Sequence, residues 1–201
     1  MSNEQIVYTE LLGSFSSTME ETSKDSSGNF MTQCQKQVVS FDDFKDSIAS
    51  DWGTRPKSCD ALYQYDADTW FLIEFKNGRL EDMRQAPPED TKEIRDVVRK
   101  FFESLLLLTK QLGQTIDFTH KNFVFILVYN ENKNNGYLAI KDAAKRLGRS
   151  KRMSKDILPM CYLSEVLGTH NTAYFDKLYV KRAYICSQQS FNEEFVKKYA
   201  Q

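Results

Sequence analysis

Charge of one sign is what this sequence has least of: 27 basic residues stand against 28 acidic ones, a formal net charge of −1. Whole-molecule attraction to nucleic acid is thereby excluded, and any such binding must come from a local patch. Paired cysteines are also lacking. Cys34, Cys59, Cys161 and Cys186 are scattered with no C-x-x-C spacing, which argues against a disulfide framework. With no signal-peptide pattern after Met1, they predict free thiols in a reducing, cytoplasmic setting. His120 and His170 have no cysteine neighbours in sequence, which argues against a structural zinc site. No apolar run approaches the roughly 18–20 residues that span a bilayer, so no membrane partner is expected, and there is no internal repeat. What is present is ordinary for a globular chain: 41% apolar and 27% charged residues over a length that suits one domain, 1–201.

Along the chain, Glu4–Leu12 predicts a short helix with Ile6, Val7 and Leu11 on one side. Residues 13–35 are rich in Ser, Thr, Gly and charge and predict a mobile loop. The spacing of Phe41, Phe44 and Ile48 predicts a helix from Phe41 to about Ser50 with Ser40 as its N-cap. Asp42, Asp43 and Asp46 then sit in its first turns, where the helix dipole favours acids. Ile94, Val97, Val98, Phe101, Phe102, Leu105, Leu108 and Leu112 repeat at helical spacing and predict a long helix stopped by Gly113. Leu105 to Leu108 are apolar almost all round and predict deep burial. Phe123–Tyr129 has no polar alternation and predicts a strand covered on both faces, in the same sheet as the strand before the helix. Tyr137–Leu147 reads as a second crossover helix, Leu163–Leu167 as a helical turn and Lys181–Ser187 as a last strand. Ser190–Tyr199 reads as a terminal helix with a Ser190–Glu193 capping box and a Phe191, Phe195, Tyr199 docking stripe.

The stretch that carries chemistry lies between Ser58 and Gly78. It reads as two short strands joined by a turn at Asp66-Ala67-Asp68. The second strand places Trp70, Leu72, Glu74 and Lys76 on one face and Phe71, Ile73 and Phe75 on the other. Both faces begin apolar, so the strand is expected to be central, and its end turns into a carboxylate and an ammonium. Buried charge is costly unless compensated. If the loop is odd-length, with Tyr65 opposite Thr69, Asp60 falls across from Glu74 on the same face. A two-residue turn reverses that parity. Two facing carboxylates repel and favour a divalent cation, Mg²⁺ or Mn²⁺, which prefers oxygen ligands.

Asp60, thirteen intervening residues and then Glu74-Phe75-Lys76 resemble the PD-(D/E)xK signature of restriction-endonuclease-like nucleases. Pro56 precedes Asp60 by four residues instead of one, so the first half of the signature is degenerate. The resemblance implies an α/β fold, a mixed central sheet flanked by helices with an αβββαβ core. It implies a metal held by Asp60 and Glu74, with the Phe75 carbonyl and Glu10 of the first helix as further candidates. The plainer reading of Glu10, a solvated glutamate, is the preferred one. Lys76 would polarise the attacking water. The implied partner is nucleic acid, DNA before RNA, and the family admits homodimers. Arg99 and Lys100 on the long helix, with Lys145, Arg146, Arg149, Lys151 and Arg152 in the basic stretch from Lys141 to Lys155, are candidate phosphate contacts; as an alternative they form a solvated charged face. Three readings therefore stand side by side: a Mg²⁺-dependent nuclease, a catalytically silent module of that fold binding nucleic acid or a protein, and a purely structural Glu74–Lys76 ion pair.

Overall fold

The computed structural model describes residues 3–50, 52–53, 55–80, 92–134, 161–162 and 178–201. The predicted crossover helix over 137–147, the turn over 163–167 and the basic residues from Lys141 to Lys155 lie outside them.

The segment Thr69–Lys76, β4, is apolar on both faces and forms the fourth strand of a seven-stranded sheet, ordered β1-β2-β3-β4-β5-β7-β6. Strands β1 (Ser16–Thr18), β2 (Gln37–Ser40) and β3 (Ala61–Asp66) pair antiparallel up to β4. Beyond it β5 (Phe123–Tyr129) and β7 (Arg182–Ser187) run parallel, and β6 (Cys161–Tyr162) closes the edge antiparallel. The sheet is mixed and the class α/β. The seven residues of β5 are all buried, as their unbroken apolar run predicts.

Helices cover both faces. On one lie α1 (Asn3–Ser14), α3 (Phe41–Ile48), α4 (Lys92–Leu112) and α5 (Ile116–Asn122). Tyr8, Phe41, Phe44, Phe101 and Leu105 from these helices pack against Leu62, Trp70, Leu72 and Phe125 of the sheet. The opposite face holds Ala61, Tyr63, Phe71, Ile73 and Phe75 under the C-terminal helix α6, which runs as Gln188–Ser190, a π-helical Phe191–Val196 and Lys197–Tyr199. Its expected stripe is in place: Phe191 and Phe195 are fully buried, and Phe195 meets the Phe71 ring edge-on at 4.8 Å. Among the described residues no helix is long and apolar enough to cross a membrane.

Several expectations change. Residues 13–35 carry β1 and the short helix α2 (Met19–Thr22) where a mobile loop was expected. The polar composition hid Met19 and Met31, both essentially inaccessible to solvent, which pin the segment under the sheet. On α1 Leu11 is buried as expected, but its buried companion is Tyr8, which meets Trp70 edge-on, while Ile6 is exposed. Leu106 is 63% exposed, so the leucine run of α4 is buried on three sides and not all round. The cap of α6 is Ser187, whose hydroxyl accepts from the Ser190 N–H, one turn earlier than predicted. Helix α5 was not anticipated. The N-cap Ser40 of α3 was, and its side chain accepts from Asp43 N.

Helix α4 stops as its sequence demands. Gly113 has φ +62°, its N–H donates to Lys110 O at 3.3 Å, and Gln114 N donates to Thr109 O at 3.0 Å, the paired bonds of a Schellman end. A Cβ added at Gly113 meets nothing within 4 Å, so Gly113→Ala carries a backbone cost alone. The expected loss is about 1–2 kcal/mol in urea unfolding; an unchanged midpoint would show that the helix end relaxes out of the left-handed region.

Candidate functional site

Register decides whether Asp60 and Glu74 meet. The pairs Ala61↔Ile73, Leu62↔Leu72, Tyr63↔Phe71 and Gln64↔Trp70 continue to Asp66↔Thr69, with a shift at Tyr65. The turn is thus the two-residue one, Ala67-Asp68, and a bulge at Tyr65 restores the parity that this turn removes. The ladder ends at Ala61↔Ile73, and Asp60 is the bend just before β3, beside the Ile73–Phe75 stretch of β4. Asp60 N donates to Ile73 O at 3.0 Å, and the Phe75 N–H donates to Asp60 Oδ2. An extended residue directs its N–H and C=O to the same neighbour, so the Phe75 carbonyl lies on the edge that Asp60 occupies.

The cation that meets the two carboxylates is Lys100, not Lys76. Lys100 Nζ lies 2.7 and 3.0 Å from the two oxygens of Glu74 and 3.4 Å from Asp60 Oδ1. Glu74 is wholly buried, whereas the side chains of Asp60 and Lys100 keep 16% and 26% of their exposure. Lys76 shares the strand face of Glu74 and is half-buried, but forms no ion pair among the described residues. The strand's two-residue period carries it one pleat beyond Glu74, while α4 crosses the face directly above.

Helix α4 lays a polar stripe along the irregular segment that delivers Asp60. Asp96 pairs with Lys57 Nζ at 2.6 Å, Glu103 accepts from the Lys57 N–H, and the buried Ser104 hydroxyl accepts from Cys59 N at 2.8 Å. With Lys100, these residues fall at i, i+4, i+7 and i+8, one side of a helix. Sequence reasoning gave Lys100 to a phosphate surface. Its spacing from Ser104 places it at the margin of the buried stripe but does not say which way it turns.

Burial pushes the Glu74 carboxyl up to about 8, the Asp60 charge adds to the rise, and Lys100 opposes it. Burial also raises Asp60, against the pull of Lys100 and the Phe75 N–H. Burial alone would lower the Lys100 ammonium, but Asp60 and Glu74 outweigh it and hold it well above the ordinary lysine value. The buried Cys59 thiol is raised by desolvation and then by Glu74, so it is a packing group and not a nucleophile.

The other candidates are placed as follows. Glu10 is exposed and has no hydrogen bond or ion pair among the described residues. Arg99 is bound to Glu103 at 2.6 Å on its own helix. Lys145, Arg146, Arg149, Lys151 and Arg152 lie outside the described residues. Asp42, assigned to the helix dipole, also accepts from the Ser58 hydroxyl, and its charge reaches Asp60.

Among the described residues no three or more His, Cys, Asp or Glu side chains gather where they could share a metal ion. What the pair offers is hard carboxylate oxygens, the donor type that Mg²⁺ and Mn²⁺ take, with the Lys100 ammonium resting between them. No protein-family model, curated protein or solved structure matches the chain.

Proposed function

We propose that the chain is a divalent-metal-dependent hydrolase of nucleic-acid phosphodiesters, DNA in preference to RNA, built on a restriction-endonuclease-like sheet. One observation carries this reading: the carboxylates of Asp60 and Glu74 converge on a single cation at the end of the central strand. The succession α1, β2, β3, β4, α4, β5, with β1 and α2 inserted after α1, α3 after β2 and α5 after α4, supports the fold part of it.

Asp60 and Glu74 would hold the metal, Asp60 from the side that solvent reaches. When bound, the ion lowers the pKa of a coordinated water and offsets charge on the phosphoryl oxygens. The Phe75 N–H fixes the Asp60 carboxylate, which leaves its other oxygen to face the cation. Lys76, without an ion-pair partner among the described residues, is the ammonium free to meet a phosphate. A second reading, a silent module of the same fold, is favoured by one fact: Lys100 already compensates both carboxylates from within the protein.

Purified chain with labelled single- and double-stranded DNA and Mg²⁺ or Mn²⁺ separates the two. The nuclease reading expects cleavage that chelation stops. It expects Asp60→Asn to lower the rate by at least about 10³-fold and Lys76→Ala by about 10²-fold, the scale of losing a metal ligand and one charge-stabilising group. Equal cleavage by wild type and Asp60→Asn would expose a contaminant, and DNA binding without cleavage would establish the silent module.

A further inference from the structure

We propose that Lys100 is an internal competitor for the metal, so that a divalent ion loads between Asp60 and Glu74 only by displacing its ammonium. The inference rests on the metal-dependent reading above. Lys100 Nζ lies 2.7 and 3.0 Å from the Glu74 oxygens and 3.4 Å from Asp60 Oδ1, while Asp60 Oδ2 is taken by the Phe75 N–H. All four carboxylate oxygens therefore already face a donor. Glu74 is inaccessible to solvent, and both its oxygens are covered by this one ammonium.

An ion arriving from solvent meets Asp60 first. It gains Glu74 only when the lysine withdraws, and the lysine can withdraw. Its side chain keeps 26% of its exposure, and its flexible stem tolerates a swing that a planar guanidinium would resist. The exchange replaces one positive charge by two beside two carboxylates. The protein thereby avoids an uncompensated buried carboxylate pair whenever metal is scarce. The consequence is regulation of the same site: a stable resting form closed by its own lysine, and a loaded form that exists only above a threshold of free divalent ion.

Mn²⁺ binding, read by the paramagnetic resonance signal of the free ion in mildly alkaline solution, tests this on the intact chain without any assay of cleavage. Four proteins are compared: wild type, Lys100→Met, Lys100→Arg and Lys76→Met. Lys100→Met removes the competitor and should bind Mn²⁺ at least about tenfold more tightly, equivalent to 1.4 kcal/mol. It should also show a larger rise in melting temperature with Mn²⁺ than wild type. Lys100→Arg, which keeps the fold's charge balance but grips carboxylates with a rigid fork, should bind at least about tenfold more weakly. Lys76→Met removes an equal charge from the same face and controls for general electrostatics, so its affinity should rise by much less than that of Lys100→Met.

Equal affinities for wild type and both Lys100 variants would overturn the exchange while leaving a metal site standing. So would a rise in Lys76→Met that matches Lys100→Met. Should Lys100→Met fail to fold, Lys100→Arg against wild type decides alone. Absence of Mn²⁺ binding in all four proteins would overturn the exchange and the metal-dependent reading together.

Discussion

Lys100→Met should lower the unfolding free energy by about 3–5 kcal/mol in mildly alkaline solution, and by progressively less as the pH falls toward about 5. The magnitude is that of removing one partner from a buried ion pair and leaving the other uncompensated. Glu74 is inaccessible, and Asp60 keeps only 16% of its side-chain exposure, so little water can replace the lost ammonium. The pH dependence follows from the direction in which Glu74 is displaced. Its folded value is raised from 4.5 to about 8, so the fold binds its proton more readily than the unfolded chain does. Its contribution to stability is therefore greatest at or below the unfolded value. It declines as the pH climbs through that window and is constant above it. Lys100 works in the same direction, in a higher pH window. Held above its ordinary value by Asp60 and Glu74, it contributes stability below that value, which is lost only as the pH rises through the folded one. Removing it raises Glu74 further and deepens the decline on the alkaline side. At the acid end Glu74 is protonated in both proteins, and only the lost contact with Asp60 and the lost packing remain. Urea unfolding of both proteins at several pH values measures the difference. A loss of the same size at every pH would show that the pair contributes packing and not charge compensation.

The same cluster shows how far the sequence could be read. Strand β4 was legible because both of its faces begin apolar, and β5 because seven apolar residues without alternation have no other place than the centre of a sheet. The stop of α4 was legible in Gly113, and the cap of α3 in Ser40. Asp60 and Glu74 come together although the expected turn was wrong: Asp66, not Tyr65, faces Thr69, and the bulge between Gln64 and Asp66 offsets the error. The place of Lys100 was not legible. Helical periodicity says that it flanks the buried stripe of Val97, Phe101 and Ser104, but a lysine at such a margin can turn outward as easily as inward. What turns it inward is the height at which α4 crosses β4, set by the packing of Phe101 against Phe125 at 4.7 Å between ring centroids. That distance is a tertiary quantity, with no trace in the spacing of residues along α4. The segment 13–35 was misread for a similar reason. Two methionines amid polar residues are too few to show a period, yet each fills a site under the sheet.

The hairpin supplies the last expectation, because the site depends on a compensation that deletions can expose. The two-residue turn at Ala67-Asp68 by itself would shift the whole ladder by one residue, and the bulge at Tyr65 keeps Ala61 opposite Ile73, which brings the Asp60 carboxylate to the Glu74–Phe75 end of β4. Deleting Tyr65 makes the ladder continuous from Asp66↔Thr69 to Gln64↔Trp70 and leaves every pair beyond it unchanged. Tyr65 is 47% exposed, and its described ring contact is an edge-on meeting with Tyr199 at 5.1 Å. This deletion should therefore cost only about 1–2 kcal/mol, the scale of a lost aromatic contact and a relaxed bulge, and should keep the Mn²⁺ affinity of wild type within about threefold. Deleting Leu62 does the opposite. It moves Asp60 into the position of Ala61, opposite Ile73, and turns its carboxylate into the apolar face lined by Tyr63, Phe71 and Phe75. An unpaired carboxylate there costs several kcal/mol, and the buried Leu62 side chain adds about 2–5 kcal/mol more. The Leu62 deletion should not fold, or should fold without binding Mn²⁺. Circular dichroism and thermal melting of the two deletion proteins read the contrast directly. If the Tyr65 deletion proves as damaging as the Leu62 deletion, the bulge is not what restores the register, and the alignment of Asp60 with Glu74 has some other origin.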